Sequence, residues 1–325
     1  MTEFKTATTP QDAVDQLNAL YQASVDRLRT ALKTFLDGGA PPSADDRASG
    51  AFVYPALRVS YLPDGPPPPV SRAFGKFTDP GIYESTITNP AQFRDYLVEQ
   101  LDLLNDGYEI TIEVGPSETE IPFSYVLDGA DDLDMNSASP AELVRHFPYA
   151  DLSKIDDDRP NGLKPSAPGE TRPLSLFDAP RVDYSLQRLR HYTGTPYEDV
   201  QQFILFTNYH RYVDAFTSWA IRQLKEDNHY ESFSAAGNVT VDASTPNAHA
   251  VVEGAPWRRF QMPAYHLKAP GGRGITLVNI GVGPSNAKNI TDHLAVLRPQ
   301  CWLMIGHCGG LRHSQRLGDY VLAHA

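Results

Sequence analysis

The sequence predicts an α+β domain followed by an α/β domain. Helix and strand patterns succeed one another without regular alternation in the first half, whereas the second half contains a strand, glycine-rich turn, helix and strand in direct succession. Between the two halves, residues 151–180 are rich in Pro, Asp, Ser and Gly, which is typical of an exposed connection. We therefore place the N-terminal domain at residues 1–185, including that connection, and the second domain at residues 186–325.

The first helix is predicted to begin after Thr9 and to end at Gly38. Threonine is a favourable N-cap residue, and Pro10 fits the first turn, where its missing N–H is not needed. Apolar residues then recur at steps of three and four, which predicts one buried helical face: Val14, Leu17, Tyr21, Val25, Leu28, Leu32 and Phe35.

The rest of the first half is predicted to contain two strands and a second helix. Residues 52–61 and 109–114 have the composition and alternation of strands. Asn89 and Pro90 precede another amphipathic pattern, so we place the start of the second helix there and its end at Gly107.

The second half is predicted to contain a βαβ unit. Residues 275–280 form an apolar strand, a helix follows, and residues 301–305 form the next apolar strand. Right-handed connections make such strands parallel, and we expect these two to be neighbours. Short strands are also predicted at residues 203–206 and 320–322.

Composition excludes several classes of function. The chain has 325 residues, with 28 Lys and Arg against 40 Asp and Glu, for a net charge of −12. Such a field repels nucleic acids and anionic membranes. The N-terminus lacks a signal peptide pattern, no run approaches the roughly 20 apolar residues of a membrane span, and the cysteines, Cys301 and Cys308, show no disulfide or zinc spacing. We expect a cytoplasmic protein without a metal.

Two glycine-rich segments are candidate ligand contacts. Residues 281–286 connect a strand to a helix, where backbone N–H groups can meet an anion, although such turns often serve only as tight connections. Ser285 could cap that helix or donate its hydroxyl. Residues 306–310 follow the next strand, at the edge where α/β sheets bind ligands. There His307 is either a binding residue or a histidine that packs a turn.

A third candidate segment follows the strand at residues 203–206. Arg211 could reach back as a phosphate clamp, or it could lie exposed on the following helix. Asn208 and Tyr209 are in the same segment. The residues by themselves indicate a crevice of the size of a phosphate or a nucleotide.

Long segments resemble the AMP nucleosidase family, whose catalytic domain has the nucleoside phosphorylase type of fold. Residues 205–214 (LFTNYHRYVD), 274–288 (GITLVNIGVGPSNAK), 302–312 (WLMIGHCGGLR) and 318–325 (GDYVLAHA) carry the resemblance in the second half. In the first half, residues 52–55, 72–78 and 189–196 resemble the regulatory domain of that family.

The resemblance implies hydrolysis of AMP to adenine and ribose 5-phosphate by a homo-oligomer without a cofactor. It also implies an allosteric nucleotide or phosphate; its anion contacts would be Arg72, Lys76 and Arg94, each of which could equally be a solvated surface residue. Residues 281–286 and Arg211 would face the sugar or phosphate, and residues 306–310 the base. The implied substrate-binding residues are Asn208, Tyr209, Arg211, Gly281, Val282, Gly283, Pro284, Ser285, Asn286, Gly306, His307, Cys308, Gly309 and Gly310.

One departure from the family keeps other functions open. Family members carry a ribose-binding Met-Glu segment and a base-protonating Asp downstream of the part that resembles residues 318–325. We therefore expect the catalytic residues beyond Ala325, an incomplete α/β domain, and a chain that is inactive by itself. The first alternative is a non-catalytic nucleotide- or phosphate-binding module. The second, a nicotinamide-dependent oxidoreductase, lacks a complete dinucleotide fingerprint.

Overall fold

The chain divides into two compact units, residues 1–184 and 185–325. The computed structural model describes residues 3–65, 68–127, 133–164, 166–167, 169–226 and 229–322. The predicted α+β and α/β classes are confirmed by the sheets described below. The assignment of regulatory and catalytic roles to two domains stays a prediction. Among the described residues, no helix is long and apolar enough to cross a membrane.

The first unit is built on a five-stranded sheet. The strand order is β1-β4-β2-β3-β5, and every pairing is antiparallel except that of β3 with β5. The strands are β1 (Lys5–Thr6), β2 (Val53–Tyr61), β3 (Gly81–Thr86), β4 (Thr111–Glu120) and β5 (Arg172–Pro173). The helices are α1 (Pro10–Leu36), α2 (Ala44–Ala48), α3 (Arg94–Gly107), α4 (Pro140–His146) and the beginning of α5 (Ala179–Thr193).

Helix α1 confirms the first predicted helix. The Thr9 hydroxyl accepts a hydrogen bond from the Asp12 N–H at 3.1 Å, and Pro10 is the first helical residue. Most of the predicted apolar face is buried against the sheet, including Leu17, which packs with Leu57 of β2. The helix ends at Leu36, and Gly38 follows with a φ of 88°.

The predicted start of the second helix is wrong. Asn89 has a left-handed φ of 43°, and its carbonyl accepts hydrogen bonds from the N–H groups of Gln92 and Phe93. These bonds form a turn, so α3 begins only at Arg94, and its N-cap has no side-chain hydrogen bond. The strand predicted at residues 109–114 is real, but it begins at Thr111 and continues to Glu120 because it pairs with β2 over most of that length.

Asp183 is a buried carboxylate in the first unit. The Tyr54 hydroxyl donates to its Oδ2 at 2.6 Å, and the Thr88 hydroxyl donates to its Oδ1 at 2.8 Å. Burial raises the pKa of Asp183 to about 7, although both hydrogen bonds favour the ionised form. The carboxyl therefore takes up a proton in the folded state at a pH where the unfolded chain would leave it ionised.

Asp183 should make the first unit less stable as the pH rises from about 4 to about 7. The folded pKa lies above the unfolded value of 3.8, so the stabilisation is present at low pH and is lost toward neutrality, on the order of 4 kcal/mol in total. Asp183→Asn should remove this slope, as judged by hydrogen exchange of β2 amides against wild type at each pH. Asp45→Asn, on exposed α2, is the control. An unchanged slope in Asp183→Asn would contradict the assignment.

The second unit contains a six-stranded mixed sheet. Its order is β11-β6-β10-β9-β7-β8, with β6 parallel to both of its neighbours and the other pairings antiparallel. The strands are β6 (Phe203–Thr207), β7 (Ser232–Ala235), β8 (Val239–Val241), β9 (Ala264–Lys268), β10 (Ile275–Asn279) and β11 (Cys301–Ile305). The helices are the remainder of α5, α6 (His210–Glu226), α7 (Ala248–Glu253) and α8 (Pro284–Leu294).

Two predictions for this unit need correction. Strands β10 and β11 are parallel as expected, but they are not neighbours, because β6 lies between them and forms hydrogen bonds to both. The connection through α8 therefore crosses one strand. The strand predicted at residues 320–322 is irregular chain. A strand needs a partner, and Tyr320 is fully exposed and Leu322 largely exposed, without a neighbouring strand among the described residues.

A buried polar chain runs through the second unit around His266. The ring nitrogens Nδ1 and Nε2 each lie 2.9 Å from a threonine hydroxyl, of Thr276 and Thr195 respectively. The Thr276 oxygen also accepts the Gln201 N–H at 2.8 Å. Burial lowers the pKa of His266 to about 4, with Asp199 opposing the shift and Lys268 adding to it. The ring is therefore neutral in the folded protein.

His266 should destabilise the second unit as the pH falls from about 6.5 to about 4. The unfolded histidine takes up a proton in this range and the folded one does not, so stability falls by about 3 kcal/mol toward low pH. All three tryptophans lie in this unit, so urea unfolding followed by tryptophan fluorescence reports on it. His266→Gln should flatten the slope, and His313→Gln at an exposed position should not. Equal slopes in the two variants would contradict the prediction.

Candidate functional site

Three candidate segments meet because three parallel strands end at the same level. Thr207, the last residue of β6, pairs with Asn279, the last residue of β10, and with Ile305, the last residue of β11. The chain therefore leaves the sheet at one edge three times, into residues 208–212, 280–286 and 306–310. The carboxyl ends of parallel strands are where open α/β sheets bind ligands. We call this edge the β6 crevice.

The turn after β10 is shaped by its glycines and by two asparagines. Gly281 and Gly283 have φ values of 63° and 115°, which side-chain-bearing residues rarely adopt. Asn279 Oδ1 accepts the Gly281 N–H at 3.2 Å, and Asn286 Nδ2 donates to the Ile280 carbonyl at 2.9 Å. Both side chains thus hold the backbone of the turn.

Helix α8 begins at this turn without a side-chain cap. Its N-cap is Gly283, so Ser285 lies in the first helical turn and is not the cap. Of the two roles expected for Ser285, the one that remains is donation of a hydrogen bond from its hydroxyl to a ligand. Pro284 has no N–H to lose at the first position. The helix has 11 residues. Its first N–H groups have no partner within the helix, and the helix dipole places a partial positive charge at this end.

The segment after β6 forms the first turn of α6, which starts at His210. Arg211 is therefore a residue of the following helix and is exposed, and its Nη2 lies 3.1 Å from Nε2 of His307. The Tyr212 hydroxyl lies 2.9 Å from the same nitrogen. The ring of Tyr209 packs against His307 with its centroid 4.6 Å away. Candidates that are 96 residues apart in sequence thus form one cluster.

Asn208 and the glycine loop complete the crevice. The side-chain oxygen of Asn208 is buried and has no hydrogen-bond partner among the described residues. A Cβ added to Gly306 would lie 3.7 Å from that oxygen, while one added to Gly309 would meet nothing within 4 Å. Cys308 is exposed and carries a free thiol. The loop therefore leaves open space beside the His307 cluster.

A cavity of about 340 Å³ shares His210 with the β6 crevice. Its lining includes Asp214, Trp257, Arg258 and Tyr265, and the rings of His210 and Trp257 are 4.1 Å apart. Burial, together with the charge of Asp214, raises the pKa of Tyr265. Sequence reasoning missed these residues, although the i, i+4 spacing of His210 and Asp214 was a signal that they share a helical face.

Arg72 and Lys76 are at the C-terminal end of α3. Arg72 Nη2 donates to the Leu103 carbonyl at 2.5 Å and to the Gly75 carbonyl at 3.4 Å. This guanidinium therefore satisfies carbonyls near a helix end, a common role for basic residues. Lys76 is exposed. A role for either residue in binding a regulatory anion stays a prediction.

Arg94 is at the opposite end of α3. It forms an ion pair with Asp15, with 2.6 Å between Nη1 and Oδ1. It also lines a groove of about 480 Å³ whose other charged residues are all acidic: Asp95, Glu99, Asp102 and Asp106. The structure does not bring Arg94 together with Arg72.

Comparison with known proteins adds a family to this geometry. Residues 12–171 match the family model described as bacterial AMP nucleoside phosphorylase N-terminus. Over 318 residues, 98% of this chain, the sequence is 52% identical to the AMP nucleosidase of Escherichia coli strain K12 and, equally, to that of Escherichia coli O157:H7. This chain is therefore similar to AMP nucleosidases over nearly its whole length. It spans 65% of the length of these curated relatives.

A solved structure of the same name was also found. The crystal structure of AMP nucleosidase from Bacteroides thetaiotaomicron VPI-5482 is 26% identical in sequence, and the match covers 42% of this chain and 45% of that chain, with a TM-score of 0.29. The similarity to AMP nucleosidases therefore depends on the sequence matches.

Gly283→Ala should destabilise the second unit, because alanine would be strained at a φ of 115°. We expect a loss of about 1–3 kcal/mol in urea unfolding followed by tryptophan fluorescence. Gly309→Ala is the matched control, since its Cβ has open space, and it should stay within about 0.5 kcal/mol of wild type. Equal effects of the two substitutions would show that the turn does not depend on Gly283.

Proposed function

We propose that the chain binds AMP in the β6 crevice, as part of an enzyme that hydrolyses the N-glycosidic bond of AMP to adenine and ribose 5-phosphate. The observation that carries the proposal is the level ending of three strands, since it unites three of the segments that resemble AMP nucleosidase, residues 205–214, 274–288 and 302–312. The 52% identity to proteins named AMP nucleosidase supports the choice of substrate and reaction.

The crevice offers the chemistry that a phosphate ester needs. A guanidinium supplies only donors and keeps its charge, and uncapped N–H groups at a helix start also favour an anion. Arg211 and the turn at residues 281–286 would hold the phosphate and sugar. The contact between Arg211 and His307 supports placing His307 at the same end of the ligand, with the base farther along residues 306–310.

The proposed reaction needs two further groups. Water displaces adenine at the anomeric carbon, an acid protonates the leaving base, and a carboxylate stabilises the positive charge that develops on the ribose. Protonation of a leaving group contributes about 10²–10⁴-fold to a rate. Neither group is assigned to a residue of this chain.

Three further properties are proposed on sequence grounds. The protein is a cytoplasmic homo-oligomer, and its first unit responds to an allosteric nucleotide or phosphate. Lys76 is an exposed cation among the candidates for that ligand, whereas Arg72 and Arg94 already contact backbone carbonyls and Asp15 respectively.

Adenine release from AMP tests the reaction itself. The 325-residue chain and the product of the complete gene should be compared, with binding of AMP measured separately by calorimetry. Adenine release by the gene product, together with AMP binding by the chain, is the expected result. Binding by both without release would favour a non-catalytic nucleotide-binding module, and a lack of binding by both would contradict the proposal.

Arg211→Ala should weaken AMP binding about 10- to 100-fold, because a hydrogen bond to a charged group contributes about 1.5–3 kcal/mol. Adenosine, which lacks the phosphate, should bind equally to the variant and to wild type. Arg222→Ala removes the same charge from an exposed position on the same helix and serves as the control. Equal losses for AMP and adenosine, or for Arg211→Ala and Arg222→Ala, would remove Arg211 from the phosphate site.

A further inference from the structure

The hydrogen bonds of His307 determine which of its ring nitrogens carries the proton. Arg211 Nη2 and the Tyr212 hydroxyl approach the same nitrogen, Nε2, at 3.1 and 2.9 Å. A guanidinium has N–H donors and no acceptor. An N–H on Nε2 would therefore point at another N–H, which is repulsive. The contacts are satisfied when Nε2 is the acceptor and the neutral ring carries its proton on Nδ1.

We infer that Arg211 is also a positioning residue that holds His307 in the Nδ1–H tautomer, so that Nδ1 donates a hydrogen bond to an anionic oxygen of the ligand. This inference deepens the proposed function, on which the identity of the ligand rests. The Tyr212 hydroxyl donates to Nε2 in this tautomer, but it could also accept from an Nε2–H, so it does not select the tautomer.

The orientation of the ring supports this role. Nδ1 and Nε2 point in different directions from an imidazole ring, so fixing Nε2 on α6 directs the Nδ1–H away from that helix. Tyr209 restrains the ring from another side, in an edge-on contact with an interplanar angle of 66°. Within the described part of the chain, Nδ1 has no hydrogen-bond partner.

The surroundings of Nδ1 favour an anionic acceptor. Arg211 adds a permanent positive charge to the cluster, and its other N–H groups are donors as well. The neighbouring loop is open at Gly309, where an added Cβ would meet nothing within 4 Å, so a ligand can approach its backbone. A site that presents donors selects a ligand with acceptors, and phosphate oxygens are the strongest acceptors in AMP.

Nitrogen-15 NMR of the histidine-labelled chain tests the tautomer directly. At a pH where the ring is neutral, His307 should give a pyrrole-type signal for Nδ1 and a pyridine-type signal for Nε2, and the resonance is identified by its loss in His307→Gln. Arg211→Ala should introduce the other tautomer, because the Tyr212 hydroxyl, which can accept as well as donate, then remains beside Nε2 without the guanidinium. Tyr209→Phe, which removes a neighbouring hydroxyl but keeps the ring contact, should leave the wild-type pattern.

Binding of AMP tests what the tautomer does. Asparagine places an N–H₂ group close to the position of Nδ1, whereas the longer glutamine places its amide near Nε2. His307→Asn should therefore raise the Kd for AMP less than about threefold, and His307→Gln about tenfold. Inorganic phosphate should compete with AMP in each protein.

The two readouts separate the inference from the proposed function. A dominant Nε2–H tautomer in the wild-type protein, or an unchanged tautomer in Arg211→Ala, would overturn the positioning role whether or not AMP binds. Equal affinities of the Asn and Gln variants would overturn the donor role of Nδ1. Failure of the wild-type chain and of the complete gene product to bind AMP, with the expected tautomer present, would contradict the proposed function and leave the positioning role supported.

Discussion

The pairing of β6 with a parallel strand on each side is the constraint on which the candidate site depends. Parallel strands exchange evenly spaced hydrogen bonds, so their relative register is fixed along the whole pairing. Here both registers bring a strand end level with Thr207. A shift of one residue in either neighbour would turn its side chains to the other face and withdraw its loop from the crevice.

Buried polar groups hold the register of β6 and β10 from the opposite end of the strands. The Gln201 N–H binds the Thr276 hydroxyl, and the Gln201 side-chain oxygen accepts from the N–H groups of Ala269 and Gly274. Such buried groups are costly unless they are paired, so only a register that pairs them is stable. The polar network around His266 thus belongs to the stability of the unit and lies away from the crevice.

Local patterns in the sequence predicted the helices and strands better than they predicted which strands pair with one another. Helix α1 followed from the Thr9 cap and an apolar face of 3.6-residue period, both of which are local. The insertion of β6 between β10 and β11 and the contact of Arg211 with His307 depend on residues about 70 to 100 positions apart, which no local pattern specifies. The start of the second helix was wrongly placed at Asn89 because asparagine is favourable both at helix caps and in left-handed turns, and here it forms a turn. The strand expected at residues 320–322 had the right composition but has no partner among the described strands.

A crystal structure of the chain with bound AMP would test the central claim most directly. The account predicts AMP over the end of β6, with its phosphate within hydrogen-bond distance of Arg211 and of the Nδ1–H of His307, and beside the glycine turn that follows β10. Ordered AMP elsewhere, for example in the cavity lined by Asp214 and Trp257, with an empty crevice, would contradict it.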